Sequence, residues 1–394
     1  MRVATRRLLV AAAVATGVGA ATAAVPVLAE PETVPVQVAA NGTPVPGQYI
    51  VTLKPGASTS VEAGKVRAAD VRRFDGLLNA FAARLTSDQL AKLRRSGRVA
   101  AIEQDQVVKI STVQRAPLPW GLDRIDQRGR ALSKSYTYTS TGKGVTAYVI
   151  DTGIATGHAQ FGGRARSVWA APRFNGDGRD LNGHGTHVAG TIGSRHHGVA
   201  KGVQIGSLRV LDRNGEGRMS DVILAMQWLQ KHARKPAVAN LSLTGPELKA
   251  ADDAAARLAA SGVTVVAAAG NGDGASRGYD ACHFSPAGAP ATITVGATTG
   301  ADRRTPWSNF GRCVEIHAPG SGIPSTWPGG GSRVLDGTSM AAPHVAGVAA
   351  LLLSKRPKMR PADVSTWLIQ NSTKNRLGGL PGGTPNRLLY KAGL

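Results

Sequence analysis

Asp336-Gly337-Thr338-Ser339-Met340-Ala341-Ala342-Pro343-His344-Val345-Ala346-Gly347, continued by an apolar run to Leu353, is the most informative stretch of this chain. A serine behind Gly-Thr, opening a long series of small and apolar residues, reads as a group at the mouth of a buried helix. Unpaired N–H groups and the positive end of the helix dipole gather there, so negative charge developing beside Ser339 would be stabilised. Pro343 fits only near the start of such a helix, since deeper in it would delete a backbone donor and clash. Two readings stay open on this stretch alone: a nucleophile, or a core helix that Ser339 merely caps.

Upstream, the chain alternates two patterns. Val145 to Ile150, Ile205 to Val210, Ala237 to Leu241, Val263 to Ala268 and Ile293 to Ala297 are short β-rich runs, with helical stretches at 184 to 194, 220 to 233 and 247 to 261 between them. Continuous apolar strands alternating with helices argue for an α/β domain, a mainly parallel sheet covered on both faces. Sites in such sheets form at the C-terminal ends of the strands.

The first of these strands runs into Asp151-Thr152-Gly153, a carboxylate at that edge, though a turn former or helix cap would read the same way. Asn182-Gly183-His184-Gly185-Thr186-His187 places a histidine between glycines at a helix start. His184 and His187 could be metal ligands, but the His-Glu-x-x-His pattern is absent and no cysteine is near. Together Asp151, His184 and Ser339 are the three parts that nucleophilic acyl transfer needs. A serine hydroxyl attacks poorly until an imidazole takes its proton, and the imidazole needs a carboxylate to fix its tautomer and stabilise its cation.

Asp-Thr-Gly, His-Gly-Thr-His and Gly-Thr-Ser-Met-Ala, in that order, resemble the three signatures of subtilisin-like serine proteases. The resemblance spans roughly residues 48 to 394 and implies a three-layer peptidase domain with Asp151 as orienter, His184 as general base then acid, and Ser339 as nucleophile. Val265 to Asn271 matches the family's Ala-Gly-Asn segment, which makes Asn271 an oxyanion donor. The resemblance also implies that an extended peptide pairs beside Leu241-Ser242-Leu243-Thr244-Gly245, with Ala267-Ala268-Ala269-Gly270 as the other wall of the pocket for the residue before the cut. Relatives usually read Ser-Leu-Gly-Gly-Gly there, so Thr244 and Pro246 add bulk that puts very broad specificity in doubt. Structural calcium is implied as well, with carbonyls near Pro290 and Thr292 and the Glu315 carboxylate at the aligned positions; relatives usually carry Asp where Glu315 stands.

Residues 48 to 112 form a second unit. Tyr49 to Leu53, Ala80 to Leu85 and Val99 to Ile102 read as strands, and Val61 to Phe74 and Ser87 to Ser96 as amphipathic helices, with Thr86 or Ser87 as a cap. This βαββαβ-like, ferredoxin-like α+β unit resembles the inhibitory propeptide of the same proteases, including its Val99-Ala100-Ala101-Ile102-Glu103-Gln104-Asp105 ending. Pro119-Trp120-Gly121-Leu122-Asp123-Arg124-Ile125-Asp126 opens the peptidase domain, taken as 113 to 394, as in the proteinase K and aqualysin branch. A cut between about Lys109 and Arg115 would release the propeptide.

Residues 1 to 29 have the pattern of an export signal: Arg2, Arg6 and Arg7, an apolar run, then small residues before Ala29. Thr5-Arg6-Arg7-Leu8-Leu9 also resembles a twin-arginine signal. Residues 30 to 47 read as a flexible spacer. Two cysteines, Cys282 and Cys313, in an exported chain suggest one disulfide closing a loop of about thirty residues, worth roughly 3 kcal/mol, with two free thiols as the alternative. The resemblance, which aligns them with a disulfide of aqualysin-like members, favours the bond.

Lys plus Arg number 47 against 25 Asp plus Glu, a net +22, while aromatics are only 5%. Without a basic helix or a nucleic-acid motif, the excess reads as a solvated basic surface and not a nucleic-acid footprint. The expectation is therefore a secreted, monomeric serine endopeptidase acting on peptides and proteins and made as a pre-pro form. Its partner is its own propeptide, acting as folding aid and inhibitor, and neither nucleic acid nor, once processed, membrane is expected. An inactive binding protein on the same fold is the competing reading from another class.

Overall fold

The computed structural model describes residues 33–38, 43–109, 113–114, 119–273 and 276–394. The export signal at 1–29 and most of the segment expected to be cut lie outside the described residues.

The N-terminal unit runs β1 (Val36–Gln37), β2 (Pro44–Leu53), α1 (Thr59–Lys65), β3 (Ala69–Arg73), β4 (Ala80–Arg84), α2 (Ser87–Arg94) and β5 (Val99–Lys109). Its sheet has the order β1-β5-β2-β4-β3. Thr86 caps α2 in a reciprocal capping box with Gln89. The helix expected over 61 to 74 is shorter. Arg67 and Asp70 turn to φ +50° and +51°, which ends α1 and turns the following residues into an edge strand against β4. The expected spacer is also partly ordered: β1 pairs with Ile102 and Glu103 of β5, and β2 begins at Pro44.

Period-two alternation gives this sheet two buried faces. Val51, Leu53, Phe81 and Ile102 pack with α1 and α2 into a core of their own. Ile50, Ala80 and Ala82 point the other way and, with Phe74, Leu77 and Leu78, join the core of the larger domain.

That domain follows through β6 (Val113–Gln114), α3 (Trp120–Asp126), β7 (Thr146–Asp151), β8 (Ala165–Ala170), α4 (His184–Gly193), β9 (Gln204–Arg209), β10 (Glu216–Arg218), α5 (Met219–His232), β11 (Ala237–Leu241), β12 (Gly245–Pro246), α6 (Lys249–Ala260) and β13 (Val263–Ala268). It ends with β14 (Phe284–Ser285), β15 (Ile293–Thr298), β16 (Ile316–Pro319), β17 (Ile323–Thr326), β18 (Ser332–Asp336), α7 (Thr338–Lys355), α8 (Pro361–Asn371), β19 (Thr373–Lys374) and β20 (Arg387–Leu388). The main sheet has the order β19-β20-β16-β15-β13-β11-β7-β9-β8, parallel throughout except for β19 at its edge.

Along β7, Ala147 and Val149 face a core shared with α4 and α7, whereas Tyr148 and Ile150 face α5 and α6. Strand order reverses at β7, with β9 on one side and β11 on the other. The crevice beyond the C-terminal ends of β7 and β11 is therefore where a site is expected. Cys282 and Cys313 form a disulfide.

Candidate active site

Asp151 is the last residue of β7, and its carboxylate receives the Thr152 amide at 2.7 Å. His184 is the first residue of α4, and its Nδ1 lies 2.7 Å from Asp151 Oδ1 and 3.0 Å from Oδ2, with both side chains buried. The flanking glycines exist for close approach. A Cβ on Gly183 would strike the Trp327 ring at 2.2 Å, and one on Gly185 would meet Gly153 O at 2.2 Å. His184 Nε2 is buried and has no hydrogen-bond partner among the described residues. His187 turns away, its Nε2 against the carbonyls of Ile323 and Arg333, and burial depresses it to about 3, so it stays neutral. It does not join His184 in a ligand pair, and no group of three or more His, Cys, Asp or Glu placed to hold a metal occurs among the described residues.

Ser339 lies inside the first turn of α7, with Gly337 at the cap position, so it is not the helix cap. Its Oγ donates to Ser242 O at 2.9 Å, and Ser242 Oγ donates back to Ser339 O at 2.8 Å. The structure thus joins Asp151 to His184 and Ser339 to the residue after β11, but does not join Ser339 to His184. Active-site hydrogen bonds that tighten only when substrate arrives are common in unliganded enzymes.

Thr338 is a residue that sequence reasoning did not single out. Its N–H and Oγ1 donate to Asn271 Oδ1 at 2.9 and 2.7 Å, and its Oγ1 accepts the Gly270 amide at 3.1 Å. Thr338 consequently locks the carbonyl end of the Asn271 amide and presents the nitrogen end on the opposite side. Asn309 braces the same loop, donating to Ala269 O at 2.8 Å and accepting from Gly272 N at 3.0 Å. The Thr within Gly-Thr-Ser was the available signal, read only as a neighbour of the serine.

Ser242 and Leu243 are buried just beyond β11, and Ala268, Ala269 and Gly270 lie at and just beyond the end of β13. Gly245 and Pro246, as β12, pair with β14, which fixes the segment that carries Thr244. Thr244 Oγ1 lies 3.3 Å from the point where a Cβ on Gly270 would sit, so its hydroxyl reaches towards the opposite strand end. Backbone edges flank the crevice. β5 adds antiparallel to β10 through Val107 to Lys109, and β6 adds antiparallel to β18 at Leu335 and Asp336.

Glu315 and Thr292 line a cavity of about 710 Å³ at the opposite end of the sheet, together with Pro290. Thr292 Oγ1 is buried without a partner among the described residues. Burial pushes the Glu315 carboxyl up to about 7, although it accepts the Thr294 amide at 2.7 Å. A desolvated carboxylate and an orphaned hydroxyl are oxygen donors of the kind calcium takes, and Lys235, Lys358 and Arg360 line the same cavity.

The N-terminal unit meets the larger domain through its acids. Glu103 Oε2 accepts the Ala250 amide in the first turn of α6 at 3.2 Å, while Asp105 accepts Ser220 N at 3.2 Å and Ser220 Oγ at 2.5 Å in the first turn of α5. Each carboxylate sits where a helix offers unpaired donors. Arg72 of β3 adds an ion pair at 2.7 Å to buried Asp221, which Arg173 also contacts at 3.0 Å.

Fold and site together define a serine protease. The chain belongs to the subtilases: residues 142–388 match the Subtilase family, and residues 48–111 match the Peptidase inhibitor I9 family. Over 319 residues it is 47% identical to the "Extracellular serine proteinase" of Thermus sp. (strain Rt41A), covering 80% of this chain and 76% of that protein. Proteinase R of Parengyodontium album is 39% identical over 360 residues, covering 89% and 90%. A cold-adapted subtilisin-like serine proteinase of known structure superposes with a TM-score of 0.66 at 46% identity, covering 69% of this chain and 97% of that one.

Proposed function

We propose that the protein is an exported endopeptidase that matures itself, with Asp151, His184 and Ser339 as its catalytic triad. The observation that carries this reading is the buried 2.7 Å contact between Asp151 and His184 Nδ1, which leaves Nε2 unpartnered and able to accept a proton. Rotation of Ser339 about χ1 exchanges its bond to Ser242 O for one to Nε2. The oxygen then attacks the scissile carbonyl carbon as its proton passes to Nε2. Asn271 Nδ2 and the Ser339 amide receive the oxyanion, a pair in which one donor is typically worth about 10²- to 10³-fold in turnover. The imidazolium returns the proton to the departing amine, and water repeats the sequence on the acyl-enzyme.

Substrate backbone would pair with the edge at β10 and with the residues after β11, which reads main chain and not side-chain identity. The pairing of β5 with β10 supports a propeptide that occupies this edge until it is cut and degraded. Calcium, when bound, would be held by the Glu315 carboxylate with Thr292 and the Pro290 carbonyl, and would stabilise the fold without entering the chemistry. The extracellular relatives and the N-terminal pattern support secretion. The direct test is a serine-directed phosphonylating reagent together with casein: labelling of Ser339 and hydrolysis are expected, and unlabelled, inactive mature protein would overturn the reading.

Thr244 should narrow the pocket between the two strand ends. Peptides with alanine before the cut are expected to be hydrolysed better than those with phenylalanine, and Thr244→Gly should shift that ratio towards phenylalanine by about tenfold, the low end of what one methylene in a pocket is worth. Paired kcat/KM measurements read the shift, and an unchanged ratio would show that Thr244 faces elsewhere.

The grip of the propeptide should depend on pH. Burial raises both Glu103 and Asp105 to about 6 in the docked state, above the ordinary carboxyl range. The docked form therefore takes up protons that the separated parts do not. Docking through these groups is strongest below about pH 4 and weakens as pH rises through about 6. Calorimetric titration of propeptide into phosphonylated mature enzyme should give binding on the order of tenfold tighter per group at pH 5 than at pH 7.5. The double variant Glu103→Gln, Asp105→Asn should flatten that dependence.

A further inference from the structure

Asp180 lies four residues before His184, is only 8% exposed, and has no part in the mechanism above. Its Oδ1 accepts three donors: Gly183 N at 2.7 Å, Thr152 Oγ1 at 2.8 Å and Asn182 N at 3.0 Å. Its Oδ2 accepts two, Thr186 Oγ1 at 2.5 Å and Thr186 N at 2.9 Å. Both threonine hydroxyls are themselves acceptors. Thr152 Oγ1 takes the Gly185 amide at 2.9 Å, and Thr186 Oγ1 takes the Ala155 amide at 2.9 Å.

One buried carboxylate thereby ties two pieces of chain together. Thr152 and Ala155 belong to the exit of β7, directly behind Asp151, and residues 183, 185 and 186 form the start of α4, around His184. Among the described residues, the only other hydrogen bonds between these pieces near the reacting atoms are those of the Asp151–His184 contact itself. We infer that Asp180 is the positioning residue of the Asp151–His184 pair, setting the distance and angle at which the carboxylate meets Nδ1. The inference rests on the triad reading.

The chemistry explains why a carboxylate is needed. Five donors converge on two oxygens, and charge-assisted bonds at a helix mouth are the strong kind. An asparagine would turn an amide nitrogen towards at least two donors and leave them buried without an acceptor. The relaxation that relieves them would separate the end of β7 from α4, and the imidazole would move with it. Misplacement of reacting groups by about 1 Å can cost about 10²-fold in rate without a matching loss of binding.

The test compares wild type with Asp180→Asn, Thr152→Val and Thr152→Ser, each made as the full chain, released by a trace of wild-type enzyme and repurified. Steady-state kinetics on a peptide p-nitroanilide and the second-order rate of Ser339 phosphonylation are measured per folded molecule. Asp180→Asn is expected to lower kcat and the phosphonylation rate about 10- to 100-fold with KM within about twofold. Thr152→Val should lose part of that rate, Thr152→Ser should restore it, and adding Thr152→Val to Asp180→Asn should cost nothing more, because both break one network. Full kcat in Asp180→Asn, or losses explained entirely by the unfolded fraction, would overturn the inference. Should Asp180→Asn fail to fold, the threonine pair decides: Thr152→Val equal to wild type overturns the inference, and a kcat loss rescued by serine supports it. Wild type that resists phosphonylation would instead overturn the triad reading.

Discussion

Ser339→Ala is expected to accumulate as an uncut chain that still carries residues 48 to 112, and to hydrolyse casein about 10⁶-fold more slowly than wild type. That is the scale of loss when the nucleophile of a subtilisin triad is removed. The structural cost should be small, because only the Oγ bond to Ser242 O is lost, while Ser242 Oγ keeps its bond to the Ser339 carbonyl. Intact mass and N-terminal sequencing of the secreted product read both halves of the expectation. A variant that matured normally would place the cutting activity in another molecule.

Asp151→Asn should leave the site assembled but in the wrong protonation pattern. An asparagine can still accept the Thr152 amide through its oxygen, as Asp151 Oδ1 does now. Its NH2, in the Oδ2 position 3.0 Å from Nδ1, can then donate to that nitrogen, make it an acceptor and put the ring proton on Nε2, where it blocks proton transfer from Ser339. A tautomer error of this kind costs about 10⁴-fold in kcat. KM should stay within a few-fold of wild type, since no backbone edge moves. Kinetics on variant released by trace wild type would show it, and a loss below about tenfold would mean that Asp151 does not orient His184.

The motifs were legible because each demands a residue type that the surrounding pattern does not explain: an acid closing an apolar strand, a histidine between glycines, a serine opening an apolar helix. The central strands were legible as well, since burial on both faces leaves uninterrupted apolar runs. What escaped notice lay at edges. β3, with Arg72 and Arg73, reads as the end of a helix until the left-handed residues at 67 and 70 are known. β8 is half exposed and carries no strong period. Asp180 sits in Asp177-Gly178-Arg179-Asp180-Leu181-Asn182-Gly183, a composition that reads as a turn. Four of its five donors lie within six residues of it, but the fifth, the Thr152 hydroxyl at the exit of β7, reaches it only on folding.

Ile50, Phe74, Leu77 and Leu78 belong to the N-terminal unit, yet they are buried in the layer that covers α5 and α6. On the proposed maturation, the precursor and the released enzyme therefore stand on different thermodynamic footings. The shorter chain lacks side chains that helped to make its folded form the lowest state, and each buried apolar side chain of this size is worth about 1.5–3 kcal/mol. Its durability would then be set by the height of the unfolding barrier. On that proposed maturation, a released molecule that crossed the barrier would have to refold without those contacts, so its working life is governed by a rate.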